Sequence, residues 1–297
     1  MLLGIVLWHP FQPVIAHGVL EMTAIDVGQG ESILVTLPDG KLVLVDGGGI
    51  ASFGRTTASR LDIGEDVVSP YLWSRHIRRI DVVALSHAHQ DHLGGLAAIL
   101  NNFEVGELWT GATPAGPVWD PLAAVARARG VKIVPMRRGD PFVFGGAHLH
   151  VIAPSVEYEP GPTPRNNDSL AISVKFGQRT FLLTGDMERQ VEAELIARGL
   201  VTHADVLKVA HHGSKTSSTA ALIEAASPAF AIISAGFENS YGHPHRDILD
   251  RLADHRVCVL RTDQLGLVTI RTNGLRLELE TGIWLPREGI VEPVFDR

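Results

Sequence analysis

A single cysteine, Cys258, is all the thiol that this chain of 297 residues offers. That excludes an internal disulfide and any zinc site built from several thiolates, and it leaves the compartment open. The run Val257-Cys-Val-Leu260 reads as a strand, which places the thiol in the core. An excess of positive charge is also missing. Lys and Arg number 26 against 33 Asp and Glu, a formal charge of −7. No overall field therefore draws in nucleic acid, and any such binding must use a local basic patch. The apolar start, Leu2 to Trp8, stops at His9-Pro10 and is too short to span a bilayer. It also lacks the basic start and small-residue cleavage site of a signal peptide. It is left as a terminal strand or loop, a membrane-surface anchor, or the tail of a longer hydrophobic segment. Internal repeats, low-complexity tracts and long linkers are lacking too. What is present, 45% hydrophobic and 20% charged residues, is ordinary for a soluble globular domain with a sizeable core.

Histidine is plentiful, with 14 in the chain, and its densest stretch organises the rest. In Asp81-Val-Val-Ala-Leu-Ser-His-Ala-His-Gln-Asp-His-Leu-Gly-Gly95 a buried strand over 81–85 runs into a loop carrying His87, His89, Asp91 and His92. A helix follows from Leu93 to Leu100. His87 and His89 can aim at one ion, and Asp91 and His92 at a neighbouring one. Zinc takes imidazole nitrogen and carboxylate oxygen, and a catalytic site keeps one position open for water. Gly94 and Gly95 allow helix and sheet to approach closely behind these side chains.

Other strands also end in groups able to do chemistry. Strands over 32–37 and 41–45 form a hairpin through Pro38-Asp39-Gly40, and the second ends in Asp46 and three glycines. The strand over 180–183 ends in Thr184-Gly-Asp186, where the carboxylate either caps the helix over 188–197 or bridges two ions; the histidine motif favours the bridge. His211 ends a strand over 205–210. The loop that follows offers backbone N–H groups, the hydroxyls of Ser214 and Thr216, and the ammonium of Lys215, a set suited to a phosphate oxygen. His243 follows the strand over 230–234 and reads as a substrate-facing or supporting group. His148 and His150 share one face of a strand without an acidic partner and read as solvent-facing surface. A helix is expected within 66–78, starting late because of Pro70. Strands first, then strand–helix alternation, occur in both halves. That pattern predicts an α+β fold, a four-layer αββα sandwich, as one domain over 19–281 between an apolar segment over 1–18 and a tail over 282–297.

The H-x-H-x-D-H stretch is similar to the signature of the metallo-β-lactamase superfamily without a mismatch. Asp26-Val-Gly-Gln-Gly-Glu-Ser32, Val45-Asp-Gly-Gly48, Asn166-Asn-Asp-Ser-Leu170, Leu183-Thr-Gly-Asp186, Leu207-Lys-Val-Ala-His-His-Gly-Ser-Lys-Thr-Ser217 and Tyr241-Gly-His-Pro-His245 accompany it in order. Together they resemble the C-terminal hydrolase domain of the ComEC family of DNA-uptake membrane proteins, over residues 19–281. The resemblance implies an αββα metallohydrolase with a nuclease role, degrading the DNA strand that is not transported. It implies that Asp46 orients the metal loop from behind, a role in which Asn167 is placed as well. Two departures stand out: Glu31 where the family often has Asp, and Asn166-Asn-Asp168 where many superfamily enzymes supply a third histidine. An Asn oxygen is a weaker zinc ligand than imidazole, so the first site is depleted or suits manganese. The family's domain follows membrane helices, and Leu2 to Trp8 fits the remnant of one. A membrane-associated protein on the extracytoplasmic face is therefore expected, with a soluble cytoplasmic one as the alternative.

The expectation is a phosphodiesterase with two divalent ions, zinc or manganese. His87 and His89 hold one, Asp91, His92 and His211 the other, and Asp186 bridges them. Asp91, Lys215 and His243 are the expected catalytic residues, and Ser214, Lys215, Thr216 and His243 the expected contacts to substrate. Single-stranded DNA is the favoured partner, alongside a membrane channel. Two rivals remain on the same residues: a hydrolase of lactones, thioesters or small phosphoesters, and a binding module without chemistry. Nothing in the sequence bears on oligomeric state.

Overall fold

The protein is described here from a computed structural model covering residues 11–50 and 61–282. The apolar start over 1–8, most of the expected segment over 1–18, part of the polar loop over 49–64 and the tail from 283 lie outside the described residues.

Strand alternation builds the two central layers. β1 (Leu20–Ala24), β2 (Ile33–Thr36), β3 (Leu42–Val45), β4 (Arg79–Leu85), β5 (Glu104–Thr110) and β6 (Lys132–Pro135) belong to the first sheet. Gly40, at φ 96°, makes the Asp-Gly turn between β2 and β3. In β4, Val82 and Ala84 face inward while Val83 and Leu85 face out. The second sheet holds β7 (Phe142–Phe144), β8 (Ala147–Ala153), β9 (Ala171–Phe176), β10 (Arg179–Leu183), β11 (Val206–Lys208), β12 (Phe230–Ile233) and β13 (Cys258–Arg261). The closing hairpin, β14 (Val268–Thr272) and β15 (Leu277–Thr281), returns to the first sheet, where β14 pairs antiparallel with β1. The orders are β15-β14-β1-β2-β3-β4-β5-β6 and β13-β12-β11-β10-β9-β8-β7.

Between the sheets lies a core in which Met22, Val35, Val43 and Trp109 meet Val151, Ile172, Phe181 and Leu183. Helices cover both outer faces. α1 (Ser69–Ser74), α2 (Gln90–Leu93), α3 (Leu96–Asn102) and α4 (Trp119–Ala128) come from the first half of the chain. Of these, α1, α3 and α4 bury Leu72, Ile99 and Leu122 against the first sheet. α5 (Arg189–Ala197), α6 (Ala220–Ala226) and α7 (Arg246–Asp254) bury Leu195, Leu222 and Ile248 on the second. The fold is thus the four-layer αββα sandwich that the pattern predicts.

Local differences have physical reasons. The helix expected late within 66–78 begins at Gly64 with a π-helical turn to Val68 and continues as α1. Pro70 sits in the first turn of α1, where its missing N–H is no loss. The helix expected over 93–100 is two pieces, α2 and α3, divided at Gly94-Gly95. Thr262–Leu265 forms a short helix, α8. Cys258, expected in the core, is exposed because β13 is an edge strand whose alternate residues face away. Among the described residues no helix is long and apolar enough to cross a membrane.

Candidate metal centre

The C-terminal ends of parallel strands from both sheets meet at one rim. β3 and β4 are parallel neighbours in the first sheet, and β10, β11 and β12 in the second. Asp46 follows β3, His87 to His92 follow β4, Asp186 follows β10, and the His211-His212 pair follows β11. A donor set assembles there from two layers.

Asp46 fixes the first half. Fully buried and at φ 61°, it accepts from the Ser86 N–H at 2.7 Å, from Ser86 Oγ at 2.6 Å and from His92 Nδ1 at 2.7 Å. Ser86 has one hydroxyl proton and gives it to Asp46. Its oxygen can therefore only accept from His87 Nδ1 at 3.1 Å, which leaves His87 Nε2 as a bare lone pair. His89 Nε2 donates to the Pro164 carbonyl at 3.2 Å, which leaves His89 Nδ1 bare as well. These two lone pairs face each other at 2.9 Å. The same logic recurs beside them. His92 donates through Nδ1 to Asp46, and His212 donates through Nδ1 to the Ser234 carbonyl at 2.9 Å. Their Nε2 atoms then lie 3.3 Å apart. Asp186 Oδ2 stands 3.2 Å from His92 Nε2, 3.6 Å from that of His212 and 3.9 Å from that of His87. Asp186 Oδ1 is buried without a hydrogen-bond partner among the described residues. The His87 and His89 lone pairs turned on one another are repulsive unless a cation lies between them, and the His92–His212 contact likewise needs a cation or a proton on His92 Nε2 shared with Asp186.

Donor atoms of His87, His92 and Asp186 lie within 4.8 Å of one another, as do those of Asp91, His92 and His212. Imidazole nitrogens with carboxylate oxygens are the set that zinc takes, and manganese where oxygen is richer. The residues present fit two divalent ions. His212 completes the second group where His211 was expected. The strand expected to run to Ala210 stops at Lys208. Two left-handed residues, His211 at φ 53° and His212 at φ 54°, then wind the chain so that the second histidine points inward. His211 stays half-buried, 4.0 Å from Asp186 Oδ2, with Thr216 Oγ1 at 3.3 Å and Asn166 Nδ2 at 3.4 Å from its Nδ1. The spacing of the doublet carries no signal that separates the two.

Charge follows position. Burial would depress His92, but Asp186 and Asp46 beside it hold its pKa well above the usual value. Burial, and then the neighbouring His92, push His87 well below. Burial would raise Asp186, yet His92 and His212 hold its carboxyl well below the usual range.

The remaining candidates take different places. Asn167 Oδ1 accepts from the Glu188 N–H at 2.8 Å, bracing the chain beyond Asp186 rather than facing the histidines. Asp168 accepts from Tyr158 Oη at 2.8 Å and from the Arg165 N–H at 2.7 Å, pinning the loop that presents the Pro164 carbonyl. Ser214 Oγ and Thr216 Oγ1 lie 3.2 Å apart, so those hydroxyls serve the turn itself, while Lys215 is exposed. Arg189 lies along this loop, with Nη2 donating to the Lys215 carbonyl at 3.2 Å. The His243 ring stands 5.7 Å from that of His211, its Nδ1 buried without a hydrogen-bond partner among the described residues. Burial, and then His212 and His211, push its pKa down to about 4. His148 and His150 sit on β8 opposite Lys175 and Ser173 and belong to neither donor group.

Two packed sheets capped by helices, with histidines and carboxylates gathered where their strands end, define a class of metal-binding fold. The chain belongs to the metallo-β-lactamase superfamily, whose sequence pattern matches residues 25–236. It is similar to ComE operon protein 3 of Bacillus subtilis (strain 168), 38% identical over 260 residues that make up 84% of this chain and 33% of that protein. It is also similar to competence protein ComA of Neisseria gonorrhoeae, 29% identical over 269 residues, 90% of this chain and 34% of that one. The second is by name a competence protein, and both bear out the resemblance of the ordered motifs to the ComEC family. The chain spans about a third of their length. Among solved structures, the metallo-β-lactamase fold protein YhfI from Bacillus subtilis matches with a TM-score of 0.52 at 14% identity, over 85% of this chain and 100% of that one. That likeness concerns the fold alone.

Proposed function

We propose that the chain is a binuclear metal-dependent phosphodiesterase that hydrolyses DNA in the setting of competence. The observation that carries this reading is the lone-pair encounter of His87 with His89, beside the His92–His212 contact and an Asp186 oxygen without a hydrogen-bond partner among the described residues. His87, His89 and Asp186 would hold one ion, and Asp91, His92 and His212 the other. Divalent ions, when bound, supply Lewis acidity toward a phosphoryl oxygen and make water acidic enough to act as a nucleophile near neutral pH. The protein's own part is positioning. Asp46 and the Pro164 carbonyl fix the histidine tautomers. Lys215, exposed on the loop that follows His212, would meet a phosphate by charge-assisted hydrogen bonds. His243 offers an unpaired ring nitrogen to bound substrate. The names of the relatives, one of them a competence protein, support DNA as the substrate and a membrane-associated DNA-uptake assembly as the partner.

Protein reconstituted with zinc, manganese or magnesium is expected to cut single-stranded DNA faster than duplex, since flexible strands enter a cleft without prior unpairing. Lys215→Ala is expected to slow DNA turnover more than turnover of a neutral ester, which carries no full charge for the ammonium to meet. Brisk hydrolysis of a lactone or thioester with no cutting of nucleic acid under any of the three metals would move the assignment to another ester class.

A further inference from the structure

Beneath the metal centre lies an ion pair that the reading above does not use. Glu31 and Lys208 meet with neither side chain exposed to solvent. Glu31 Oε1 and Lys208 Nζ have no hydrogen bond to any third group among the described residues. Desolvating two such charges costs several kcal/mol per ion, so an unsupported buried pair is a poor stabiliser compared with apolar packing. Its connections show what it holds.

The Glu31 N–H donates to the Asp91 carbonyl at 3.0 Å, and its own carbonyl accepts from the Gly48 N–H at 2.7 Å. Gly30, just before it, comes so close that a Cβ there would lie 2.5 Å from the same Asp91 oxygen. Glu31 is thus fastened to the loop of Asp91 and His92 and to the turn beyond Asp46, all in the first sheet. Lys208 is the last residue of β11 in the second sheet. Its carbonyl accepts from Thr184 Oγ1 at 2.7 Å, two residues before Asp186, and the turn carrying His212 follows directly.

We infer that the Glu31–Lys208 pair is the tie that sets the Asp91–His92 half of the donor set against the Asp186–His212 half. Both are positioning residues that govern affinity for the second ion. The inference rests on the metal-centre reading and not on DNA as the substrate. An apolar pair would fill the same space, but it has no preferred separation comparable to that of an ammonium held on a carboxylate.

The test uses the full chain as Glu31→Met, Lys208→Met and the double variant. Zn²⁺ affinity is read by competition with a chromophoric chelator, and the melting temperature of chelator-stripped protein by circular dichroism. Each single variant is expected to melt lower, because one charge is left buried alone. The double variant is expected to melt at or above the wild type, since apolar replacement of a buried pair is often neutral or stabilising. Its second Zn²⁺ is nevertheless expected to bind at least tenfold more weakly. A double variant that binds two Zn²⁺ ions with wild-type affinities overturns the inference and leaves the pair a packing element. If the double variant does not fold, the isosteric Glu31→Gln carries the test. Weaker second-ion binding then supports the tie, and a lower melting temperature with unchanged affinity overturns it. Wild-type protein that binds no Zn²⁺ overturns the inference together with the metal-centre reading. DNA cleavage enters neither readout, so failure of the nuclease assignment is seen separately.

Discussion

Asp46 takes three hydrogen bonds from two residues, and the tautomers of His87 and His92 follow from them. Ser86→Ala would leave Asp46 Oδ2 with one donor fewer inside the protein. Hydrogen bonds to charged groups contribute about 1.5–3 kcal/mol, so a urea melt of this variant should show a loss within that range. At the ligands themselves, His212→Ala should lose close to one equivalent of metal by elemental analysis, while His148→Ala should keep the wild-type content. Retention of both ions by the His212 variant would return the second site to His211. The residues of this site were legible in sequence to unequal degrees. Asp46 directly follows an apolar strand, Asp186 comes three residues after one, and His87, His89, Asp91 and His92 fill the segment after a third, and strand ends are easily read. His212 was not legible, because its inward aim depends on two successive left-handed residues, and backbone handedness leaves no trace in spacing. The part of Ser86 is not legible either, since nothing about a serine in a sequence reveals where its single proton goes.

Elements meet here through glycine. A Cβ on Gly95 would lie 2.2 Å from the Gly47 carbonyl oxygen and 2.6 Å from the Gly64 nitrogen. Three backbones therefore touch behind the histidines: the turn after β3, the π-helical turn before α1, and the break between α2 and α3. Gly95→Ala should destabilise by more than about 4 kcal/mol or prevent folding, because each obstacle is backbone and cannot rotate away. Gly139→Ala, whose nearest such neighbour is 3.8 Å away, should stay within about 0.5 kcal/mol. Thermal melts of the two variants compare them directly. The glycines were visible in the sequence as places of close approach. Their partners were not, since Gly47 and Gly95 come together only once β3 and β4 are paired.

At the scale of the whole molecule, both sheets contribute to one donor set, and the first sheet is completed only by the end of the chain. The sheet that the closing strands join is not legible in the sequence, because nothing local ties residue 268 to residue 24. In the structure β14 pairs with β1 from Ala24↔Val268 to Leu20↔Thr272. A chain ending at Gly266 should therefore fail to give a cooperative melt, with β1 left as an open edge over the inner core. β15 and β14 carry that consequence further, into the order in which the protein is made. A ribosome releases β1 more than two hundred residues before its partner exists, and an unpaired strand edge is a template for pairing with other chains. Contacts of such wide sequence separation also form slowly. Until the final hairpin leaves the exit tunnel, the nascent chain presents a sticky flank, so its yield in a cell should depend on how well chaperones shield β1 during synthesis.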